Sequence, residues 1–448
     1  MVNLLSSGRL KDSDPKPTPS VQSLPDSHQS GSEGGQNVLE GKPLADLESG
    51  GKKKSIFSRP WTRRDITILG ALGALGLALI VLVIALPILF TKRSDGNDGD
   101  GNYWTPYTPK HDDPSYHIEE NKPIWAIHNF PDPGLLEYNG TWYAFGTNPR
   151  KENPNSIHIP VATSTNFVNW TLHKDYDAMP TIGHWERKVN HWAPDVIRRD
   201  DGKFVMYYAG ETKDFGTHHC VGAAVSEGDD PLGPYVPVNK SIACPHKYGG
   251  AIDPSPFRDE DGTMYVVYKG DGNSVGSGGY CGNTRTPRHS VPIMLQELKS
   301  DGITPVGKPK IILDINKTDG PLVEAPDIIR TDDGIYYLFF SSHCFTSLGY
   351  NVKYAHAKSI QGPYTRAPRS LLQTGDFGLK APGGATVFSD GKRMVFHANC
   401  EGWRCMYASA IDVHPNNHTI VMASLELQVL GNSTTHPIDS DIASTTSS

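Results

Sequence analysis

Between residues 121 and 430 the chain repeats one pattern of apolar and polar positions five times. In residues 323–339, for example, an apolar run follows a proline, the pair Asp333-Gly334 comes next, and aromatic and β-branched residues return. An Asp-Gly or Asn-Gly pair between two such runs is the strongest short-range signal of a β-hairpin. Each copy is therefore predicted to form one hairpin.

The five copies are nearly evenly spaced. Counted at Pro133, Pro194, Pro254, Pro326 and Gly383, the steps are 61, 60, 72 and 57 residues. Units of this length, with about four short strands each, bury their faces only against their neighbours, as in a β-propeller. We therefore predict an all-β fold, a five-bladed β-propeller.

The long third step is predicted to contain an insertion between strands of the third blade. Its glycine-rich part, residues 270–279, resembles a phosphate-binding loop only in glycine content. It lacks the Gly-Lys-Ser/Thr sequence that such a loop needs.

The segment before the repeats predicts a membrane anchor. Residues 1–65 are polar, with no aromatic residue before Phe57, and are predicted to be a disordered cytosolic tail. Residues 66–90 are apolar apart from Thr67. As a helix they could cross a hydrocarbon core of ~30 Å, so we predict a transmembrane signal-anchor helix. An acidic, glycine-rich linker over 91–120 and a flexible tail over 431–448 complete the predicted domain organisation.

Charge predicts the orientation of this helix. Six basic residues precede it closely (Lys52, Lys53, Lys54, Arg59, Arg63 and Arg64), and only Lys92 and Arg93 follow it closely. Positive charge stays on the cytosolic side, so a single-pass type II membrane protein with a luminal or extracellular domain is predicted. The net charge of −7 and the absence of basic clusters in the distal part argue against a nucleic-acid partner.

Cysteines and glycosylation sequons agree with this orientation. All six cysteines and all six Asn-x-Ser/Thr sequons lie beyond residue 90. We predict a disulfide-bonded glycoprotein in an oxidising compartment, with Cys400 paired to Cys405 and the pairing of the other four left open. A zinc site with His218, His219 and His343 is the alternative, but no Cys-x-x-Cys pair supports it.

Three of the five predicted blade entrances carry a carboxylate. Asp132 and Asp253 each precede a proline, and Glu324 stands two residues before Pro326. Residues at the start of the innermost strands converge on the mouth of a propeller's channel, and crowded carboxyl groups spread their pKa values. An aspartate before proline can also simply start a turn, but three at separate entrances favour a shared site. Asp195 and Asp327, after the prolines, are interpreted as turn or strand-edge residues.

Four segments resemble motifs of glycoside hydrolase family 43, in the family's order and about its spacing. They are Phe130-Pro131-Asp132-Pro133, His191-Trp192-Ala193-Pro194-Asp195, Ala251-Ile252-Asp253-Pro254-Ser255 and Val323-Glu324-Ala325-Pro326. The resemblance covers about residues 122–430 and implies a five-bladed propeller that hydrolyses arabinose- or xylose-containing glycans. It further implies that Asp132 is the general base, that Glu324 is the general acid, and that Asp253 raises the acid's pKa and orients it.

Two further side chains are candidates for substrate binding. His397 resembles a fifth-blade histidine that in arabinanases faces the channel and helps to hold an ion or a water; the alternative is a core histidine. Trp192 could stack on a sugar ring or fill the blade entrance. The chain departs from the family pattern at Pro131, where a histidine is usual, and at Gly383-Gly384, where many arabinanases have Gly-His.

These features together predict an inverting glycosidase of plant-type polysaccharide. An arabinanase or α-L-arabinofuranosidase is the leading hypothesis, acting on a polysaccharide or oligosaccharide without a required cofactor, although a single structural ion could occupy the channel. A β-xylosidase or galactanase is the second hypothesis, since the three acids are common to all of these enzymes. A carbohydrate-binding propeller without turnover is the third, because a fold does not determine function.

Overall fold

The structure, a computed structural model, describes residues 119–148, 157–187 and 190–425. The predicted cytosolic tail, membrane helix and C-terminal tail, and nearly all of the predicted linker, lie outside these residues. Among the residues it does describe, no helix has the length and apolar character needed to cross a membrane.

Five antiparallel sheets form the blades, each built mainly from one stretch of chain. Blade I contains β2 (Gly134–Tyr138), β3 (Thr141–Phe145), β4 (Val161–Ser164) and β5 (Thr171–Leu172). Blade II contains β6 (Trp192–Arg198), β7 (Phe204–Glu211), β8 (His219–Ser226) and β9 (Tyr235–Pro237). Blade III contains β10 (Ala251–Arg258), β11 (Met264–Gly270), β12 (Ile293–Leu298) and β13 (Pro305–Leu313). Blade IV contains β14 (Val323–Arg330), β15 (Tyr336–Ser342), β16 (Asn351–Ala357) and β17 (Thr365–Arg366).

Blade V joins the two ends of the described chain. It contains β18 (Gly383–Val387), β19 (Arg393–Cys400) and the long strand β20 (Trp403–His414). The N-terminal strand β1 (Ile124–Ile127) pairs with one half of β20, and β21 (Thr419–Ala423) pairs with the other half. Because β1 precedes blade I in the chain, this pairing ties the last blade to the first. The predicted five-bladed propeller is confirmed.

Apolar side chains fill the space between consecutive blades. Each of five buried clusters takes its members mainly from two neighbouring blades, as where Tyr337 of blade IV meets Phe396 of blade V. Trp142 of blade I and Val395 of blade V belong to the cluster that closes the ring. Burying one such side chain stabilises the fold by about 1.5 to 3 kcal/mol.

The first strand of every blade lies innermost and starts with the same backbone distortion. In each blade one residue at this point has a left-handed backbone conformation. From blade I to blade V these residues are Asp132, Ala193, Asp253, Ala325 and Gly384, with φ of 51°, 42°, 54°, 49° and 58°. In blades II to V the strand pairing shifts by a bulge at this point. Four of these residues are not glycine, and such φ values cost energy that surrounding contacts must offset. A proline directly follows the left-handed residue in blades I to IV, so the corresponding residue of blade V is Ala385. The sequence pattern indicates Gly383, two residues earlier.

Three disulfides tie strands and loops of the blades together. Cys220–Cys244, Cys281–Cys344 and Cys400–Cys405 account for all six cysteines, which excludes the zinc alternative because no thiolate remains. The predicted insertion of blade III is confirmed between β11 and β12. The loops of the described residues also contain five 3-10 helical turns: Glu119–Asn121, His246–Tyr248, Gly272–Val275, Tyr280–Gly282 and Asp376–Gly378.

Candidate active site

The five left-handed residues line one small cavity on the channel axis. Asp132, Ala193, Asp253, Ala325 and Gly384 all contribute to its wall, and its volume is about 30 Å³. That is enough room for a water molecule. The backbone bulges thus direct residues of all five blades toward one point, as the repeat pattern predicted.

Tyr350 lies within electrostatic reach of all three predicted catalytic carboxyls. The phenol is buried and its ring stacks on His397, with ring centroids 5.8 Å apart. Burial raises the pKa of Tyr350 well above its usual value, and the charges of Glu324, Asp132 and Asp253 raise it further. All three carboxyls therefore act electrostatically on this one buried side chain.

Gly383 allows Tyr350 to occupy this position. A Cβ at residue 383 would lie 2.0 Å from a ring carbon of Tyr350, so a side chain there would displace the phenol. The departure of Gly383-Gly384 from the Gly-His of many arabinanases therefore coincides with close packing of an aromatic ring against the channel.

Asp132 is held as a carboxylate by fixed partners. Its Oδ1 accepts a hydrogen bond from Nη1 of Arg404 at 2.8 Å, and its Oδ2 accepts one from the hydroxyl of Thr147 at 2.8 Å. Burial by itself raises the pKa of Asp132, but the charge of Arg404 and the hydrogen bonds from Thr147 and Arg404 outweigh it, and the pKa lies below its usual value. Thr147 in turn accepts the N–H of Ala193, which fixes its hydroxyl toward the carboxylate.

His397 is fully buried beside Asp132. Its Nδ1 accepts the backbone N–H of Asp132 at 3.1 Å, so the hydrogen of the neutral ring is on Nε2. Burial, with the nearby charge of Arg404, lowers the pKa of His397 to about 3, so the ring is neutral near pH 7.

The chemistry of His397 bears on the predicted channel ion. Nε2 is buried without a hydrogen-bond partner in the described part of the chain. A protonated Nε2 donates a hydrogen bond and cannot ligate a cation directly, so the ring suits a water better than an ion in direct contact. Among the described residues, the only cluster of three potential metal ligands is His128, Cys400 and Cys405, whose cysteines are bonded to each other. The ion stays a prediction.

Asp253 holds a proton more tightly than an ordinary aspartate. Its Oδ2 accepts the backbone N–H of Ala325 at 2.9 Å, which joins blade III to blade IV. Burial, followed by repulsion from the Glu324 carboxylate, raises the pKa of Asp253 to about 7, although Lys269 opposes this. A carboxyl beside the predicted acid is therefore protonated in mildly acidic solution.

Glu324 forms an ion pair with a buried lysine. Nζ of Lys269 lies 3.1 Å from Oε2 of Glu324 and 3.7 Å from Oδ1 of Asp271. Burial by itself lowers the pKa of Lys269, but the carboxylates of Glu324, Asp271 and Asp253 outweigh it and the pKa is raised. The lysine is therefore charged and neutralises part of the acidic cluster.

Trp192 lies at the start of β6, half-buried. Its ring stacks on His219 with centroids 3.6 Å apart, and its N–H donates to Oδ1 of Asn190 at 3.0 Å. One face of the indole is thus covered by protein. Sugar stacking on the other face stays a prediction, as do the chemical roles of Asp132, Glu324 and Asp253.

The interpretation of Asp195 and Asp327 as turn or strand-edge residues is wrong. Both are buried within innermost strands, and both lie 2.9 Å from the hydroxyl oxygen of Ser255. Asp195 also accepts the N–H of Leu135 in blade I, and Asp327 accepts the N–H of Val387 in blade V. The three side chains therefore connect all five blades across the channel.

One of these two carboxyls must be protonated. A serine hydroxyl donates only one hydrogen bond, so the second contact needs a carboxyl O–H as its donor. Burial, with repulsion from Asp327, raises the pKa of Asp195 to about 8; burial raises that of Asp327 to about 6.

Sequence reasoning missed three residues that contact the predicted catalytic acids: Arg404, Thr147 and Lys269. Lys269 had a signal, because a lysine inside the apolar strand Met264–Gly270 needs a buried partner. Arg404 had none, since its contact with Asp132 arises only when blades V and I meet. Thr147 had none either, although it lies just beyond β3 in the same blade as Asp132, because a threonine at the end of a strand is ordinary.

The site combines an ionised carboxylate, Asp132, with a protonated carboxyl, Asp253, at one pH. Asp132 can accept a proton from water, and the Asp253–Glu324 pair can supply one to a departing oxygen. This pairing is the requirement for inverting hydrolysis of a glycosidic bond.

Comparison with known proteins agrees with the fold. The profile of the family "Glycosyl hydrolases family 43" matches residues 120–425. The extracellular endo-alpha-(1->5)-L-arabinanase 2 of Bacillus subtilis (strain 168) is 28% identical over 265 residues, covering 55% of this chain and 52% of that protein. The extracellular endo-alpha-(1->5)-L-arabinanase of Thermotoga petrophila is 28% identical over 288 residues, covering 56% of this chain and 53% of that protein.

A solved structure supports the architecture. A thermostable family-43 glycoside hydrolase superposes with a TM-score of 0.56 at 24% identity, covering 66% of this chain and 94% of its own. At that identity the likeness concerns the fold alone. The chain spans about half the length of the curated relatives it matches. From the family match over residues 120–425, this chain belongs to family 43 of the glycosyl hydrolases.

Proposed function

We propose that the chain is an inverting glycoside hydrolase that cleaves O-glycosidic bonds of arabinose-containing polysaccharide, as an arabinanase or α-L-arabinofuranosidase. The observation that carries this is the separation of protonation states among converging carboxyls. The pKa of Asp132 is lowered, against the effect of burial, by Arg404, whereas burial and Glu324 raise that of Asp253 to about 7. Acid and base roles are therefore available together near pH 6.

Asp132 acts as the general base. A water beside Asp132 attacks the anomeric carbon while its proton passes to the carboxylate. Thr147 and Arg404, each 2.8 Å from the carboxylate, hold its oxygens in place for this transfer. Because both partners donate hydrogen bonds, they also keep Asp132 ionised until the water is deprotonated.

Glu324 acts as the general acid. It gives its proton to the glycosidic oxygen as the bond from that oxygen to the anomeric carbon breaks, so the departing sugar leaves as an alcohol. Before substrate binds, Asp253, Glu324 and Lys269 together carry no net charge. Asp253 holds a proton, and the positive charge of Lys269 balances the negative charge of Glu324. Transfer of the proton from Asp253 toward Glu324 then prepares the acid.

The proposed sugar follows from the relatives. Two proteins named as endo-arabinanases share 28% identity with this chain across the propeller. The three carboxyls alone do not select the sugar, so β-xylosidase or galactanase activity is the nearest alternative. Parallel assays on debranched arabinan, aryl arabinofuranoside and aryl xyloside distinguish these substrates.

Release of reducing sugar from debranched arabinan tests the proposal. The wild type is expected to release it, and Glu324→Gln is expected to release at least about 100-fold less. The matched control is Glu297→Gln, which changes a carboxylate near the end of β12 that does not line the small cavity. Binding of arabinan without release by the wild type would instead favour a carbohydrate-binding propeller.

The location of the domain is part of the proposal. We place it on the luminal or extracellular side of a membrane, anchored by residues 66–90. Three disulfides support an oxidising compartment. The sequon asparagines Asn139, Asn169, Asn239, Asn316 and Asn417 are all exposed, as attachment of glycans requires.

A further inference from the structure

A second, larger cavity opens beside the catalytic base. Its volume is about 710 Å³, and its wall includes Arg404 and Pro131, the neighbour of Asp132. Arg404 donates to Asp132 and also lies over the ring of Phe345, 4.7 Å from its centroid. The cleft therefore adjoins the site, and Arg404 contacts both.

Two exposed aromatic rings stand on the walls of this cleft. Trp403 is 46% exposed and Phe345 is 40% exposed, and both line the same cleft. Polar groups of Asn399, Lys380 and Glu401 stand beside them. Exposed aromatic faces beside hydrogen-bonding groups suit a sugar, which has apolar C–H faces and a rim of hydroxyls.

The walls are fixed in place. Trp403 lies on the hairpin closed by Cys400–Cys405, and Phe345 directly follows Cys344 of the Cys281–Cys344 disulfide. The backbone N–H of Asn399 donates to the carbonyl of Lys380 at 2.8 Å, which joins two walls. Pre-formed walls lower the entropy cost of binding, so these aromatics are held ready for a ligand.

We infer that this cleft, with Trp403 and Phe345 as stacking platforms, binds further sugar units of the polysaccharide on the non-leaving side of the cleaved bond. The inference rests on the proposed function. The departing oxygen faces Glu324, whereas the cleft is reached past Asp132 and Arg404, on the face where water attacks. A chain held there makes the enzyme cut within a polysaccharide rather than release only terminal units.

Nitrophenyl glycosides of different length isolate this cleft. Nitrophenyl arabinoside and nitrophenyl arabinotrioside share one leaving group and differ only in sugars on the non-leaving side. The ratio of their kcat/KM values therefore measures binding of the additional sugars. Trp403→Ala is expected to reduce the trioside-to-monoside ratio about 5- to 10-fold, the effect of losing one aromatic stacking contact. Phe345→Ala is expected to act in the same direction.

Trp125→Ala is the matched control. Trp125 is also a tryptophan of blade V, is 53% exposed, and does not line the cleft. It is expected to leave the ratio unchanged. An unchanged ratio in Trp403→Ala, or an equal fall in Trp125→Ala, would overturn the inference.

A wild type that cleaves neither glycoside would count against the proposed function rather than the cleft. Calorimetry with arabinohexaose then tests the cleft directly. Binding that weakens at least about 5-fold in Trp403→Ala but not in Trp125→Ala supports it. No binding, or equal binding by both variants, overturns it.

Discussion

Nζ of Lys269 lies 3.1 Å from Oε2 of Glu324, and the lysine side chain is completely buried. A buried cation next to a predicted general acid needs a reason, because its charge favours the ionised form of every carboxyl nearby. It compensates for the crowding of Glu324, Asp253 and Asp271, which repel one another. The cluster can then keep one proton for catalysis without accumulating negative charge.

Removing the charge of Lys269 should change both stability and pH dependence. Lys269→Met keeps a similar volume but leaves buried carboxylates without a counter-ion, which is expected to cost about 3 to 5 kcal/mol of unfolding free energy. Lys269 lowers the pKa of Asp253, so its loss raises that pKa further. The alkaline limb of the kcat/KM profile should therefore move to higher pH.

Lys353→Met is the control for this prediction. Lys353 pairs with buried Asp319 at 3.0 Å, outside the catalytic cluster. Its loss should lower stability, measured by chemical denaturation, without moving the alkaline limb. If both variants leave that limb in place, Lys269 has no influence on the catalytic proton.

The leaving group separates the roles of acid and base. Protonation matters most when the departing oxygen is a poor leaving group, so Glu324→Ala should lose far less activity on an activated aryl glycoside than on arabinan. Asp132→Ala should lose roughly 100-fold or more on both, because water must be activated in either case. Equal losses on both substrates in Glu324→Ala would contradict its assignment as the acid.

Asp195 should make stability depend on pH. Its folded pKa of about 8 exceeds the ordinary aspartate value, so the native state binds more protons between about pH 4 and 8. Its contribution to stability is complete below that window and is lost as the pH rises through it. Asp327, Ser255 and the N–H groups of Leu135 and Val196 face the same carboxyl.

Asp195→Asn tests this contribution. The amide keeps an oxygen for the N–H groups and offers an N–H to Ser255, so the fold should be retained. The fall in unfolding free energy between pH 5 and 7 should shrink by up to about 1.4 kcal/mol per pH unit. Asp261→Asn, in an exposed turn, should leave the slope unchanged. An unchanged slope in Asp195→Asn as well would show that Asp195 is ionised in the folded protein.

The blades could be predicted from sequence because each is a local unit. Residues that are close in sequence predict each hairpin. The repeat then predicts that Asp132, Asp253 and Glu324 lie at blade entrances. The closure of blade V could not be predicted in this way, since β1 (Ile124–Ile127) pairs with a strand some 280 residues later. Its four residues carry no signal of that partner.

The polar contacts across the channel are the second feature that was not predicted from the sequence. Asp195, Ser255 and Asp327 occupy the same position, directly after the proline, in three successive blades. Because they share this position in the repeat, the sequence pattern could have predicted that they lie close together. The frequent occurrence of aspartate in turns instead favoured a surface position for Asp195 and Asp327. Burial against neighbouring blades determined the outcome, and burial is not a local property of the sequence.

Glycan attachment tests the proposed topology. Expression in a eukaryotic cell should give a protein whose apparent mass falls on treatment with an N-glycosidase, because its sequons would face the lumen. Asn139→Gln should reduce the shift by one glycan if Asn139 is used. A protein in the membrane fraction that shows no shift, and whose residues beyond 100 are digested from the cytosolic side, would contradict the type II orientation.

The first-formed product anomer tests the central proposal most directly. Proton NMR during hydrolysis of an α-linked arabinoside by the wild type records the anomer before mutarotation. With Asp132 as base and Glu324 as acid, water attacks from the face opposite the departing oxygen, and the β-anomer of the product should appear first. If the α-anomer appears first, Asp132 attacks the sugar as a nucleophile and the proposed mechanism is wrong.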